Sequence, residues 1–273
     1  SSISYIVTGV DVNGCSNTDT ISLNVVSLLN MTFSPPNPVV CEGESTTINI
    51  QGASSYNWLP SSGITQIPAT SGSNFLVSPQ TSTAYQVIGM DNFGCIDSID
   101  IQISVLNKPN VSVSYNPSIC EGATAALVAS GASTYSWFPS IWLNSTIGSV
   151  VTSFPVNSTT YNVIGVGVNG CSDTATTTVS VNPNPILSVF PSNTTLCQGD
   201  TAQAVVSGAV NYIWSPLLGL STSNTDSVAV YPATNMNYSI LGIDSLGCSS
   251  IIPFDVIVNP SPIISLISSS NTI

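Results

Sequence analysis

The chain of 273 residues has no histidine, no arginine and a single lysine, Lys108, against thirteen acidic residues, for a formal net charge of -12. Each absence excludes a class of function. Without histidine there is no Ser-His-Asp relay, no imidazole general base and no imidazole metal ligand. Without arginine there is no bidentate phosphate clamp. One lysine cannot displace the counterions on which nucleic-acid binding rests. An aspartic dyad or a two-carboxylate glycosidase needs only Asp and Glu, so composition leaves that chemistry open. Weighed against the missing catalytic types, the expectation is a protein that is not an enzyme and carries no cofactor and no metal.

Long apolar runs are missing too. Although 42% of residues are hydrophobic, no run reaches the ~18 to 20 residues needed to span a bilayer as a helix, so the segment reads as soluble with no membrane span. Only 5% of residues are charged. Val, Ile, Thr, Ser, Asn, Gly and Pro fill the chain instead, a palette of strands and turns rather than of disorder. There is no signal peptide at Ser1, and the opening "ISYIVTG" reads as the middle of a strand. The expectation is a window on something longer.

Seven cysteines stand at 15, 41, 95, 120, 171, 197 and 248, and they fall into two alternating kinds. One kind follows glycine: Gly14-Cys15, Gly94-Cys95, Gly170-Cys171 and Gly247-Cys248. The other opens a Cys-x-Gly: Cys41-Glu42-Gly43, Cys120-Glu121-Gly122 and Cys197-Gln198-Gly199. Both kinds recur with a period near 77 residues. Trp58, Trp137 and Trp214 each lie 17 residues after a Cys-x-Gly cysteine, with Tyr56, Tyr135 and Tyr212 two before them and Pro60, Pro139 and Pro216 two after. Tyr5, Tyr85, Tyr161 and Tyr238 lie ten before a Gly-Cys, and Gly9, Gly89, Gly165 and Gly242 six before it. The units that follow are the C-terminal part of a truncated repeat at 1–27, repeats at 28–107, 108–183 and 184–260, and the first strand of a further repeat at 261–273. The joints "VLNKPN", "VNPNP" and "VNPSP" are short and contain proline, so they are stiff spacers.

Within a repeat, alternating runs such as "STTINIQ", "SYNWLP" and "AYQVIGM" are separated by turn residues every eight to twelve positions. That is the pattern of a β-sandwich of about seven strands. Tyr56 and Trp58 share one strand face, with Trp58, and by repetition Trp137 and Trp214, expected in the inter-sheet core beside Tyr85, Tyr161 and Tyr238. "VDVNG", "MDNFG" and "IDSLG" read as the hairpin between the last two strands, with glycine at positive φ.

The Cys-x-Gly opener, the Tyr-x-Trp strand, the Tyr-x-Val/Ile run and the closing Gly-Cys together resemble the PKD-like and immunoglobulin-like repeats of large secreted surface proteins of Bacteroidota, including gliding-motility adhesins and other type IX secretion substrates. The resemblance covers essentially the whole chain. The acidic Asp-Phe-Gly-Asp-Gly stretch that PKD domains often carry after the tryptophan is not in these repeats. What the resemblance implies is export, an extracellular, cell-surface location and a role as stalk or adhesin.

Cysteines at fixed spacing in an exported β-protein suggest disulfides. The familiar pairing lies inside each sandwich: Cys41–Cys95, Cys120–Cys171 and Cys197–Cys248. Topology favours another. A Cys-x-Gly just before strand B lies at the C-terminal pole of its domain, whereas Gly-Cys after strand F lies at the N-terminal pole, ~20 Å away along a seven-residue strand. A disulfide needs Cα atoms within about 7 Å. In a head-to-tail array the facing poles would join Cys41 to Cys171 and Cys120 to Cys248, leaving Cys15, Cys95 and Cys197 to partners outside the sequence. A non-standard strand order would restore the intradomain pairs, and seven free thiols are the third reading.

Six of the ten aspartates begin Asp-Ser/Thr triplets that resemble the O-glycosylation motif of Bacteroidota, making Thr20, Ser98, Thr174, Thr201, Ser227 and Ser245 candidate sites, the first three on a presumed edge strand; the alternative is that Asp-Ser/Thr begins strands. Asp11, Asp91 and Asp244 could bind calcium beside the hairpin, but the third copy has Gly167 there and the carboxylates are few, so a plain turn is favoured. Trp142 replaces the Gly63 and Gly219 of the other repeats, either stacking on sugar or packing locally. The expected partners are neighbouring repeats, surface glycans and other copies of the filament. The expected function is a stiff extracellular filament or adhesin stalk. The alternatives are a carbohydrate-binding array of a secreted enzyme and a self-assembling sheath that bundles through exposed strand edges.

Overall fold

The computed structural model describes residues 2–67 and 73–265. Residues 266–273, on which most of the expected opening strand of a further repeat falls, lie outside the described residues. The chain divides into two compact units. One comprises the described residues up to Lys108 together with Asn169–Cys171, and the other Pro109–Val168 with the described residues from Ser172 onward.

All regular elements among the described residues are strands. In the first unit, β1 (Ser2–Val10) and β2 (Ser16–Asn24) form an antiparallel hairpin from Ser2↔Asn24 to Val10↔Ser16. A sandwich follows. One of its sheets runs β3 (Thr32–Ser34), β5 (Thr46–Gln51), β8 (Ser73–Val77), β7 (Ile64–Ile67) in spatial order. The other runs β4 (Val39–Cys41), β10 (Ile96–Leu106), β9 (Thr83–Met90), β6 (Ser55–Leu59). After pairing antiparallel with β5, the first strand passes the cis bond Ser34-Pro35 and continues in the opposite sheet as β4, parallel to β10.

The second unit holds two more sandwiches of the same strand order except that neither has a counterpart of β7. The first of them pairs β11 (Ser112–Val113), β13 (Ala125–Ser130) and β15 (Val150–Ser153) against β12 (Ser118–Cys120), β17 (Ser172–Asn182), β16 (Thr159–Val166) and β14 (Thr134–Phe138). The other pairs β18 (Ser188–Phe190), β20 (Ala202–Ser207) and β22 (Ser227–Val230) against β19 (Asn193–Cys197), β24 (Ser249–Asn259), β23 (Met236–Ile243) and β21 (Asn211–Ser215). Two antiparallel sheets whose first strand changes sheets, with the last strand beside it, are the immunoglobulin-like β-sandwich.

Period-2 alternation explains each core. Ile48 and Ile50 of β5, Tyr85 and Val87 of β9, and Ile101 and Ile103 of β10 all face inward around Trp58. Leu127, Tyr161, Val163 and Val179 do so around Trp137, and Val206, Tyr238, Ile240 and Phe254 around Trp214. The hairpin β1–β2 repeats the pattern without a covering sheet: Tyr5, Val7, Ile21 and Leu23, equivalent to Tyr85, Val87, Ile101 and Ile103, are exposed.

Glycines mark where strands come closest. A Cβ on Gly165 would lie 2.5 Å from Val111 Cγ2 and 2.7 Å from Ala132 Cβ, and Gly89 and Gly242 are hemmed in by Met31 and Leu187 in the same way. Nothing lies within 4 Å of the equivalent position at Gly9.

Candidate functional site: the disulfide-bonded joints

Each Cys-x-Gly sits at the end of the short strand that parallels the last strand of its sandwich. Cys41 is registered with Leu106, Cys120 with Asn182 and Cys197 with Asn259. The chain then turns on a positive-φ glycine, φ 73 at Gly43, 83 at Gly122 and 95 at Gly199, a conformation that glycine adopts without steric penalty. The turn is closed by Glu44 N donating to Cys41 O, Ala123 N to Cys120 O and Asp200 N to Cys197 O, all at 2.9 to 3.0 Å. Glu42, Glu121 and Gln198 in turn donate their backbone N–H to Leu106, Asn182 and Asn259. Every Cys-x-Gly is thus fixed at the C-terminal end of its sandwich.

The Gly-Cys hairpins are fixed by carboxylates. Asp91 Oδ1 accepts from the backbone N–H of Phe93 at 2.8 Å and of Cys95 at 2.9 Å. Asp11 does the same for Asn13 and Cys15, and Asp244 for Leu246 and Cys248. These carboxylates therefore serve as turn caps. In the second sandwich, where Gly167 replaces the aspartate, Asn169 takes over: its Oδ1 accepts from Cys171 N, and its Nδ2 donates to Asn107 O at 2.8 Å. Among the described residues no group of three or more His, Cys, Asp or Glu could hold a metal ion.

Two disulfides join the two kinds of turn. Cys41 is bonded to Cys171, with Cα atoms 5.7 Å apart and a sequence separation of 130. Cys120 is bonded to Cys248, with Cα atoms 5.4 Å apart and a sequence separation of 128. Cys171 and Cys248 are fully buried. Cys15 and Cys197 are exposed free thiols and Cys95 is half-buried. Around the bridges, Lys108 Nζ lies 3.5 Å from Glu44 Oε1, and Asn184 Nδ2 donates to Glu121 O at 3.3 Å.

The aromatic positions are all placed. Trp58, Trp137 and Trp214 are no more than 4% exposed, and Tyr85, Tyr161 and Tyr238 no more than 2%. The residue pattern gave no notice of a further device: Tyr56, Tyr135 and Tyr212 close the preceding turn with their hydroxyls. Ala132 N donates to Tyr135 Oη at 2.7 Å, and Tyr135 Oη donates back to Ala132 O at 2.8 Å. Ala53 with Tyr56 and Ala209 with Tyr212 repeat it. The available signal was a Gly-Ala pair ending three residues before each of these tyrosines.

Thr20, Ser98, Thr174, Thr201, Ser227 and Ser245 are all exposed. β10 and β17 stand second in their sheets rather than at an edge, although β4 and β12 accompany only their last residues. Trp142 adopts φ 61, the left-handed conformation its glycine counterparts take, and is half-buried with its ring 6.2 Å from Phe154 in an edge-to-face contact. No helix among the described residues is long and apolar enough to cross a membrane.

No family model matches the chain, and neither does any curated protein. Solved structures do. An I-band fragment from titin is 13% identical, with 84% of this chain and 98% of that chain covered at a TM-score of 0.37. Extracellular domains 3–5 of Drosophila OTK are 10% identical, with 82% and 94% covered at a TM-score of 0.33. The N-terminal eight Ig domains of Down Syndrome Cell Adhesion Molecule are 13% identical, with 95% and 44% covered at 0.30. Each is a likeness between arrays at a level that carries no functional argument.

Proposed function

We propose that this chain is a load-bearing stretch of a long extracellular repeat protein, a stiff cell-surface filament or adhesin stalk. The observation that carries the reading is the pairing of two Cys-x-Gly cysteines, Cys41 and Cys120, each with a Gly-Cys hairpin one repeat further on, at sequence separations of 130 and 128. A bridge confined to one sandwich would stiffen only that unit, whereas a bridge that skips over a joint takes tension away from the joint. Disulfides persist in oxidising compartments, which agrees with an extracellular setting. The likeness of the Cys-x-Gly, Tyr-x-Trp and Gly-Cys elements to repeats of exported Bacteroidota surface proteins supports the same location. Exposed Asp-Ser/Thr triplets would then be available to glycosyltransferases. Adhesion would come from many weak repeated contacts rather than from one strong site.

The test is the full extension of the chain held by its two ends. With both bridges intact, the shortest covalent route runs from Ser1 to Cys41, from Cys171 back to Cys120, and from Cys248 to Ile273. That is about 119 residues, or ~40 nm at ~3.4 Å per residue, against ~93 nm for the reduced chain. Force-extension curves should show the longer limit only after reductant is added. An oxidised chain that reaches the reduced length would overturn the reading.

A further inference from the structure

In every sandwich the strand that ends at a Cys-x-Gly lies parallel to the last strand. β4 runs beside β10 from Ser104↔Val39 to Leu106↔Cys41, β12 beside β17 from Ser118↔Ser180 to Cys120↔Asn182, and β19 beside β24 from Asn193↔Asp255 to Cys197↔Asn259. The last strands begin directly after a Gly-Cys, at Ile96, Ser172 and Ser249. The last strand therefore runs from the Gly-Cys end of its sandwich to the Cys-x-Gly end. Extended strands of this kind are already close to the full reach of the chain, so they have little slack to give.

The bridges and the peptide joints splice these strands into two covalent lines. The first runs along β3 and β4, crosses from Cys41 to Cys171, continues along β17, and passes through residues 183–187 into β18 and β19. The second runs along β10, through residues 107–111 into β11 and β12, crosses from Cys120 to Cys248 and continues along β24. Every sandwich contributes one strand to each line, and those two strands are hydrogen-bonded neighbours. The remainder of each sandwich, residues 42–94, 121–170 and 198–247, connects one line to the other.

We propose that the oxidised chain is a ladder whose three sandwiches resist tension in parallel, and that reduction turns it into a string of sandwiches loaded in series. The proposal rests on the load-bearing reading above. A pull on the two ends enters the first line through β2 and leaves the second through β24. The lines can part only by sliding past each other, which shears all three parallel strand pairs at once, so each sandwich carries a share of the force. Without the bridges the same pull passes through one sandwich after another, and each carries all of it. The connectivity also says which sandwich is exposed when one bridge is lost. Without Cys41–Cys171 the first line stops at Cys41, tension crosses the first sandwich, and the second line then carries it unbroken from β10 to β24. Without Cys120–Cys248 the first line carries tension unbroken from β3 to β19, and the crossing falls on the third sandwich. Neither loss loads the second sandwich, although both bridges end in it.

The test is stretching of the full 273-residue chain by its two ends, with Cys15, Cys95 and Cys197 replaced by serine so that the bridges cannot reshuffle. The reduced chain should unfold its sandwiches in separate steps. The oxidised chain should yield in one step at about two to three times the force, because forced unfolding follows the unfolding rate of each loaded sandwich. Cys41→Ser with Cys171→Ser should give a single step near the reduced-chain force, lowered by Gly89→Ala and unmoved by Gly165→Ala or Gly242→Ala. Cys120→Ser with Cys248→Ser should give a single step lowered by Gly242→Ala alone. Each of these glycines is closely packed in its own sandwich, so each substitution marks that sandwich. Oxidised sandwiches that open one at a time at reduced-chain forces would overturn the proposal, as would a step in either single-bridge variant that responds to Gly165→Ala. The ~40 nm limit of extension follows from bridge connectivity alone, so the ladder can fail while the stalk reading stands; an oxidised chain that reaches the reduced length overturns both.

Discussion

Replacing Gly165 by alanine tests whether the glycine six residues before each Gly-Cys is required by close packing. The added Cβ would lie 2.5 Å from Val111 Cγ2 and 2.7 Å from Ala132 Cβ, where ordinary carbon contacts lie at ~3.5 to 4.0 Å. The neighbours would have to retreat by about 1 Å. Val111 is β-branched and stiff at χ1, and Ala132 has no rotamer to change. Overpacking of this kind costs ~1 to 3 kcal/mol. The rigid neighbours argue for ~2 to 3 kcal/mol at Gly165, a ~30- to 150-fold loss in the opening equilibrium of that sandwich. Gly89→Ala should cost somewhat less, ~1 to 2 kcal/mol, because the sulfur of Met31 belongs to an unbranched side chain that can move aside, although the Cβ of Ala53 at 2.8 Å cannot. Gly9→Ala meets nothing within 4 Å and should be neutral or stabilising by up to ~0.5 kcal/mol through the unfolded chain. A chain with several cores does not unfold in two states, so the assay is hydrogen exchange read on the amides of β16, β9 and β1 separately. Combining Gly165→Ala with Val111→Ala should recover ~1 kcal/mol or more of the sum of the single effects. Protection of β16 within threefold of the parent after Gly165→Ala would refute the packing argument.

Three further outcomes are expected. Trp137→Phe loses the bond to Gly148 O and should destabilise its sandwich by ~1 kcal/mol more than Trp58→Phe does, because the Trp58 indole donor has no partner; hydrogen exchange of β16 and β9 would show the difference. Asp244→Ala removes the acceptor for the backbone N–H of Leu246 and Cys248 and should cost ~1 to 2 kcal/mol, with thiol labelling of Cys248 under weak reductant rising accordingly. Burial pushes the phenols of Tyr85 and Tyr238 above the ordinary tyrosine value, with Tyr231 adding to the shift at Tyr238 and a hydrogen bond with Thr83 opposing it at Tyr85. Above pH ~10 the unfolded chain sheds these protons while the folded chain keeps them, so their contribution, complete below pH ~10, should fall as pH rises. Ultraviolet titration beside a denaturant series would reveal it, and equal stability at pH 9 and 11 would count against it.

Much of the architecture was legible because strand alternation and turn glycines are local signals. "TTINIQ" and "TAYQVIGM" name their own buried faces, and three Tyr-x-Trp strands at fixed distance from Cys-x-Gly mark three cores. What was hidden depends on which neighbour a stretch of backbone selects. Residues 64–67 could run along β8 or along β6, and nothing in "ITQI" distinguishes them; three extra residues, counted from Trp58 to Phe75 against Trp137 to Val151, alter the outcome in only one sandwich. The same holds for Thr177, a buried polar residue where the other sandwiches have Ile101 and Phe254. Its place is explained by the carbonyl of Ser114 and the side chain of Asn116, 63 and 61 residues away. Trp142 reads as a glycine replacement, but only the structure shows that it keeps the glycine's backbone conformation. The cysteines presented several pairings, and choosing among them requires the strand order, which says at which end of a sandwich each turn lies.

The two bridges overlap in sequence: Cys120 lies inside the loop closed by Cys41 and Cys171, and Cys171 lies inside the loop closed by Cys120 and Cys248. Between Cys41 and Cys248, therefore, every peptide bond is spanned by at least one disulfide. A single proteolytic cut anywhere in that interval opens a loop but parts no covalent connection between the two ends. The stretch from Cys120 to Cys171 is spanned twice. Built this way over many repeats, a surface fibre would tolerate scattered nicks along its length and part only where cuts fall in every parallel stretch between two bridges or where cleavage coincides with reduction.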